Sequence, residues 1–123
     1  MPSEVYHLAG QSHVKISFDL PEYTADTTGL GTLRLLEAVR QNAPEARFFL
    51  AATSEIFGEP AESPQSETTP TGPVNPYAAA KLYALNLVRI YRKAYGLFAC
   101  AARYVARAHV AAVDADGGRA AAA

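Results

Sequence analysis

A chain of 123 residues with one cysteine cannot form an internal disulfide, and a reduced, cytoplasmic setting is expected. Apolar neighbours from Phe98 to Val105 flank that residue, Cys100, so it is expected to be a buried thiol. Neither sign of charge is in excess. Eleven Lys and Arg against twelve Asp and Glu leave a net charge of -1, which removes the electrostatic case for nucleic acid or an acidic membrane as partner. No apolar run approaches the ~18 residues that a membrane helix needs. Met1-Pro2-Ser3-Glu4 lacks the basic and apolar regions of a signal peptide. His7, His13 and His109 have no metal-ligand spacing, so no metal is expected, and His13 reads as a hydrogen-bonded structural histidine.

What is present is ordinary for one soluble domain: half of the chain is hydrophobic and 19% is charged. Val5 to Leu8 reads as a buried strand that runs into the small-residue loop Ala9-Gly10-Gln11-Ser12. Glu22 to Asn42 carries a helical stripe of Leu30, Leu33, Leu35, Leu36, Ala38 and Val39, with Arg34, Glu37 and Arg40 on the polar side. Gly29 and Gly31 lie inside it. Each weakens a helix by roughly 1 kcal/mol relative to alanine, so they predict close contact with another backbone. The continuous apolar run Phe48 to Ala52 predicts a strand buried on both faces. Residues 58–76 are rich in Pro, Ser, Thr and Glu and predict a long functional loop. Asn75 is placed as N-cap and Pro76 as the first residue of a helix to about Tyr95, with Gly96 as its stop. Leu97 to about Val105 is a third strand.

Strand, helix, strand, loop, helix, strand is the order of an α/β fold with a parallel sheet. Ligands of such sheets bind at the carboxyl ends of the strands. The Gly10-Gln11-Ser12 loop and Thr53-Ser54-Glu55 both fall on that edge. Just beyond lie Tyr77 and Lys81, spaced by four and so on one helical face. A phenol ionises near pH 10 and is a poor acid/base at neutrality. An ammonium one turn away favours the phenolate, so Lys81 is expected to lower the pKa of Tyr77. Such a pair moves a proton on and off a hydroxyl, as carbonyl/alcohol redox chemistry requires.

The runs Tyr6 to Val14, Ser17-Phe18, Glu22 to Asp26, Gly31 to Val39, Thr53 to Gly58 and Pro76 to Lys81 resemble the extended short-chain dehydrogenase/reductase superfamily. More narrowly, they are similar to the GDP-mannose 4,6-dehydratase family, and the resemblance extends from about Val5 to Ala99. It implies an incomplete Rossmann-like sheet over 1–105, with NADP as cofactor and a nucleotide-sugar, GDP-mannose, as substrate. Tyr77 would be the acid/base on the sugar 4-hydroxyl, and Lys81 would assist it and bind the nicotinamide ribose. Thr53 would hydrogen-bond the same sugar oxygen. Glu55 would remove the C5 proton once C4 is a ketone. Leu8, Ala9, Gly10, Gln11 and Ser12 would line the cofactor, with Tyr23 approaching from the next helix. Ser54, where dTDP-glucose dehydratases carry Asp, sides with the GDP-mannose branch. Helices over 22–42 and 77–95 would build a homo-oligomer. A nucleotide-sugar epimerase or reductase is the alternative enzyme, and a catalytically inert remnant the alternative to an enzyme.

Two departures from the family pattern matter. The glycine-rich phosphate loop of the first strand-helix turn is not in this chain, so weak NADP binding by the chain alone is expected. The family's Asn, His and Arg/Pro-rich continuation after Ala99 is not matched either. Residues 106–123 read as an Ala-rich low-complexity tail, frayed or weakly helical and without a functional role.

Overall fold

The structure is a computed structural model that describes residues 1–105 and 109–113. Strand β1 is Glu4–His7, β2 is Arg47–Ala51, β3 is Ala99–Val105 and β4 is His109–Val113, in sheet order β1-β2-β3-β4. The first three are parallel, with Val5 opposite Phe48 and Phe49 opposite Cys100. The expected α/β parallel arrangement is therefore present. β4 runs antiparallel to β3, with Val105 opposite His109. The tail was expected to be frayed or weakly helical. Instead, residues 109–113 extend the sheet by pairing back on the strand just before them, which an Ala-rich composition does not report. The rest of the tail lies outside the described residues.

The first crossover is one helical rod in three parts: α2 (Pro21–Thr24), a π-helical segment (Ala25–Leu30) and α3 (Gly31–Asn42). A short helix α1 (Val14–Asp19) precedes it. Threonines line the rod and bond back to main-chain carbonyls: Thr24 to Leu20, Thr27 to Tyr23 and Thr32 to Thr28. Thr28 instead reaches Gln11 O in the loop after β1. Such back-bonding competes with the helical ladder and suits a widened turn. Gly29 admits α4 (Pro76–Tyr95) at close range. A Cβ there would lie 3.2 Å from Tyr83 Cδ1 and 3.9 Å from Ala80 Cβ, so the close approach is to side chains rather than to another backbone. Gly31 faces only its own rod, at 3.6 Å from Asp26 O.

Helices α3 and α4 cover one face of the sheet. Leu36 and Val39 of α3 and Leu85, Val88 and Tyr91 of α4 pack on Phe48, Leu50, Ala99 and Ala101. Phe48 and Leu50 are fully buried, whereas Phe49 between them is only half-buried. β2 is thus buried on one face rather than two. On the other face Tyr6 is exposed, its ring 5.9 Å from that of Phe49, and Arg47 lies over the Phe98 ring. Cys100 shares that face and is half-buried rather than buried, because no described helix covers it. At their far ends the helices are tied by Glu37. Its carboxylate takes both Arg40 N–H groups at 3.0 and 2.9 Å and the Tyr91 hydroxyl at 2.5 Å. These bonds hold the Glu37 carboxyl down at about 2, and burial together with this carboxylate pushes the Tyr91 phenol up to about 12.

Candidate active site

Two chain segments leave the carboxyl ends of β1 and β2, and the amino end of α4 meets them. After β2, Thr53 caps a 3-10 turn, Ser54–Phe57, its Oγ1 accepting the Glu55 N–H at 3.2 Å. Threonine serves here because a side-chain oxygen in extended backbone can reach an otherwise orphaned N–H. The chain then runs without regular structure until Asn75, whose Oδ1 accepts the Ala78 N–H at 2.8 Å and starts α4 with Pro76 in its first turn. Gly96 ends the helix in the left-handed conformation, φ 69°. The expected cap and stop are both present.

The long loop is seated rather than loose. Gly72 N donates to Ile56 O at 2.9 Å. Glu62 accepts from the Ser66 hydroxyl and the buried Thr69 hydroxyl, while Ser66 N donates to Thr69 Oγ1 at 2.7 Å. The Gly72 bond ties the loop to the 3-10 turn, and the Glu62, Ser66 and Thr69 bonds brace the loop internally. Asn75 Nδ2 donates to Glu55 Oε2 at 3.3 Å.

Thr53, Glu55, Tyr77 and Lys81 converge at this place. Thr53, Tyr77 and Lys81 are buried, and Glu55 is exposed. The Thr53 hydroxyl is a hydrogen-bond partner of the Tyr77 phenol, and the Glu55 charge is close enough to act on it. Lys81 donates to Ala51 O at 2.8 Å, at the last residue of β2. The electrostatics differ from the sequence expectation. Burial raises the Tyr77 phenol above its usual value; the Thr53 hydrogen bond opposes this and the Glu55 charge adds to it. Lys81 is not among the groups that shift the phenol; its ammonium donates to the Ala51 carbonyl. Burial in turn lowers the Lys81 ammonium itself.

The loop after β1 forms the second wall. Gln11 is pinned: its Oε1 accepts the His13 N–H at 2.5 Å and its Nε2 donates to His13 O and to Thr24 Oγ1. Leu8, Ala9, Gly10 and Ser12 are exposed at this edge, as is Tyr23 on α2. Gly10 has φ 136°, and a Cβ on it would sit 3.0 Å from Thr28 Oγ1. This arrangement of small residues, with a buried ammonium and phenol beside it, fits the nicotinamide end of a dinucleotide. His13 is structural as expected, its Nδ1 accepting from Ile16 N at the start of α1. Sequence reasoning missed two contacts. One is the Asn75 amide on Glu55. The other is the buried pair of His7 Nε2 and Thr32 Oγ1 at 2.9 Å, whose residues are 25 positions apart. Asn75 was visible as a cap, but nothing in its local sequence marks the second bond.

Among the described residues no helix is long and apolar enough to cross a membrane, and no cluster of His, Cys, Asp or Glu could hold a metal ion. Comparison with known proteins agrees with the geometry. A family model described as GDP-mannose 4,6 dehydratase matches residues 1–110. GDP-mannose 4,6 dehydratase of Homo sapiens is 57% identical over 100 residues, covering 80% of this chain and 27% of the relative. GDP-mannose 4,6 dehydratase 2 of Caenorhabditis elegans is 55% identical over 101 residues, covering 80% and 26%. The chain therefore spans about a quarter of the length of these relatives. Among solved structures, RMD from Pseudomonas aeruginosa complexed with NADPH superposes with a TM-score of 0.78 at 35% identity, over 83% of this chain and 35% of that one. A double mutant of the dTDP-glucose 4,6-dehydratase DesIV from Streptomyces venezuelae, with NAD and DAU bound, gives 0.78 at 29% identity, over 82% and 31%. The fold is thus Rossmann-like, its structural neighbours bind nicotinamide cofactors, and the chain belongs to the GDP-mannose 4,6-dehydratase family.

Proposed function

We propose that this chain carries the proton-handling residues of a GDP-mannose 4,6-dehydratase, acting on GDP-mannose with NADP as cofactor. The observation that carries the reading is the convergence of Thr53, Glu55, Tyr77 and Lys81 at the carboxyl end of a parallel sheet. A bound nicotinamide supplies the hydride acceptor at C4 and the hydride donor at C6, so the reaction has no net redox change. Tyr77 takes the proton of the sugar 4-hydroxyl, with the Thr53 hydroxyl holding the same oxygen. Once C4 is a ketone, the C5 proton is acidic enough for a carboxylate, and Glu55 removes it as water leaves C6. Lys81 holds the ribose, and Leu8 to Ser12 with Tyr23 line the cofactor. Exposed Leu30, Tyr83 and Ile90 on the outer helix faces support a homo-oligomer through 22–42 and 77–95. A cytoplasmic location goes with this reading.

The test is a chimera in which residues 1–102 replace the matching segment of the human relative. It is expected to convert GDP-mannose to the 4-keto-6-deoxy sugar. Glu55→Gln in that chimera should abolish water elimination and leave hydride removal from C4 partly intact. A folded, cofactor-loaded chimera without product, or a Glu55→Gln variant that still eliminates water, would overturn the assignment.

A further inference from the structure

We propose that Asn75 is a positioning residue that aims the Glu55 carboxylate and ties it to the start of α4. The proposal rests on the reading of Glu55 as a base, and deepens it. The orientation of the Asn75 amide follows from elementary hydrogen-bond chemistry. The Ala78 N–H can only donate, so the atom that meets it at 2.8 Å is the amide oxygen. The NH2 end then points away from the helix, where it meets Glu55 Oε2 at 3.3 Å. Asn75 is buried, at 8% exposure, so its geometry is held by packing, while Glu55 is exposed.

Capping alone does not call for asparagine. Serine and aspartate cap helices about as well. Neither of them presents an N–H donor on the other side. Asparagine accepts from the helix and donates to the carboxylate from two separate atoms of one planar amide; aspartate has no donor, and a serine hydroxyl would have to do both from a single oxygen of shorter reach. The backbone of Glu55 is fixed separately, by Thr53 Oγ1. Two neighbours thus hold one flexible side chain: Thr53 sets where it starts and Asn75 where it ends. With Oε2 engaged, Oε1 is the oxygen left to receive a proton. The same residue starts the helix that carries Tyr77 and Lys81. The base and the phenol are therefore referenced to one anchor, which is what pre-organisation of a two-proton reaction requires.

The experiment uses the full 123-residue chain and NMR of isotopically labelled protein. Three-bond couplings of Glu55 are expected to report one dominant side-chain rotamer in the wild type. Asn75→Ser and Asn75→Asp should both lose it, giving averaged couplings. In both variants the Ala78 amide should stay protected from hydrogen exchange and the helical circular dichroism should persist, since each retains a cap. Glu55→Ala should in turn speed exchange of the Asn75 side-chain amide protons. If Glu55 is already averaged in the wild type, or keeps its rotamer in both variants, Asn75 is only a cap and the proposal fails. Because these readings need no substrate, an inactive chimera would sink the dehydratase assignment without touching this contact, and the converse also holds.

Discussion

Two glycines with positive φ make unlike demands, and replacing each by alanine tests how the loop after β2 is seated. Gly58 ends the 3-10 turn with φ 59° and ψ -119°, and a Cβ there would lie 2.0 Å from Gly72 O and 3.1 Å from Val74 Cγ1. Gly96 has φ 69° and ψ 18°, with nothing within 4 Å of the added atom. Both substitutions restrict the unfolded chain alike, a gain of roughly 0.4–1 kcal/mol. Against this, left-handed helical backbone costs an alanine roughly 1–2 kcal/mol, so Gly96→Ala should destabilise by about 1 kcal/mol net. The Gly58 conformation lies outside that basin and carries strain of roughly 1–3 kcal/mol. Its 2.0 Å neighbour is a backbone carbonyl that cannot rotate aside. Gly72 must move, and its N–H bond to Ile56 O, worth roughly 1 kcal/mol, goes with it. Gly58→Ala should therefore cost about 2 kcal/mol more than Gly96→Ala. At a urea dependence of about 1.5 kcal/mol/M, that separates the two midpoints by about 1.3 M. Urea unfolding followed by far-ultraviolet circular dichroism reads it directly. Midpoints that coincide would mean that the loop does not rest on the 3-10 turn, and the link between Asn75 and Glu55 would lose its support.

The contrast between these glycines also marks what was legible in the sequence. Gly96 was readable as a helix stop, because a helix terminus is a local event with its own residue chemistry. The Asn75-Pro76 start was readable for the same reason, and so was the parallel order of β1, β2 and β3, which follows from alternating strands and helices. Gly58 was not, because its constraint comes from Gly72, fourteen positions away. The same limit explains β2. An apolar run says that a strand is buried but not which face the helices cover, and here Phe48 and Leu50 face them while Phe49 does not. Helical spacing placed Tyr77 and Lys81 on one face, yet it could not say where a four-carbon side chain ends. The Ala51 carbonyl, a tertiary neighbour, decides that. The four residues proposed for the site could thus be picked out in the chain, while their electrostatics came from packing.

Two further predictions separate those effects. His7 is buried, and its Nε2–H donates to Thr32 Oγ1, because the Thr32 proton is already given to Thr28 O. Burial first, and the Lys81 charge second, push its pKa below the usual value. A depressed folded value means that stability is full above the unfolded pKa of about 6.5 and is lost as pH falls below it. Tm should therefore be flat above about pH 7 and drop toward pH 5.5, and His7→Gln, which keeps a donor, should flatten that drop; an unchanged slope in the variant would place the acid sensitivity elsewhere. At Tyr77 the outcome turns on which neighbour controls the phenol. Thr53→Val removes the one contact that lowers its pKa, so the Tyr77 Cζ resonance should titrate at higher pH than in the wild type. Lys81→Met should leave the midpoint where it was, because the groups that act on the phenol are its burial, Thr53 and Glu55, and the Lys81 hydrogen bond goes to Ala51 O. Should Lys81→Met instead raise the midpoint as far as Thr53→Val does, the ammonium governs the phenol across one helical turn. The simple expectation from the Tyr-x-x-x-Lys spacing would then describe the site better than the hydrogen bonds do.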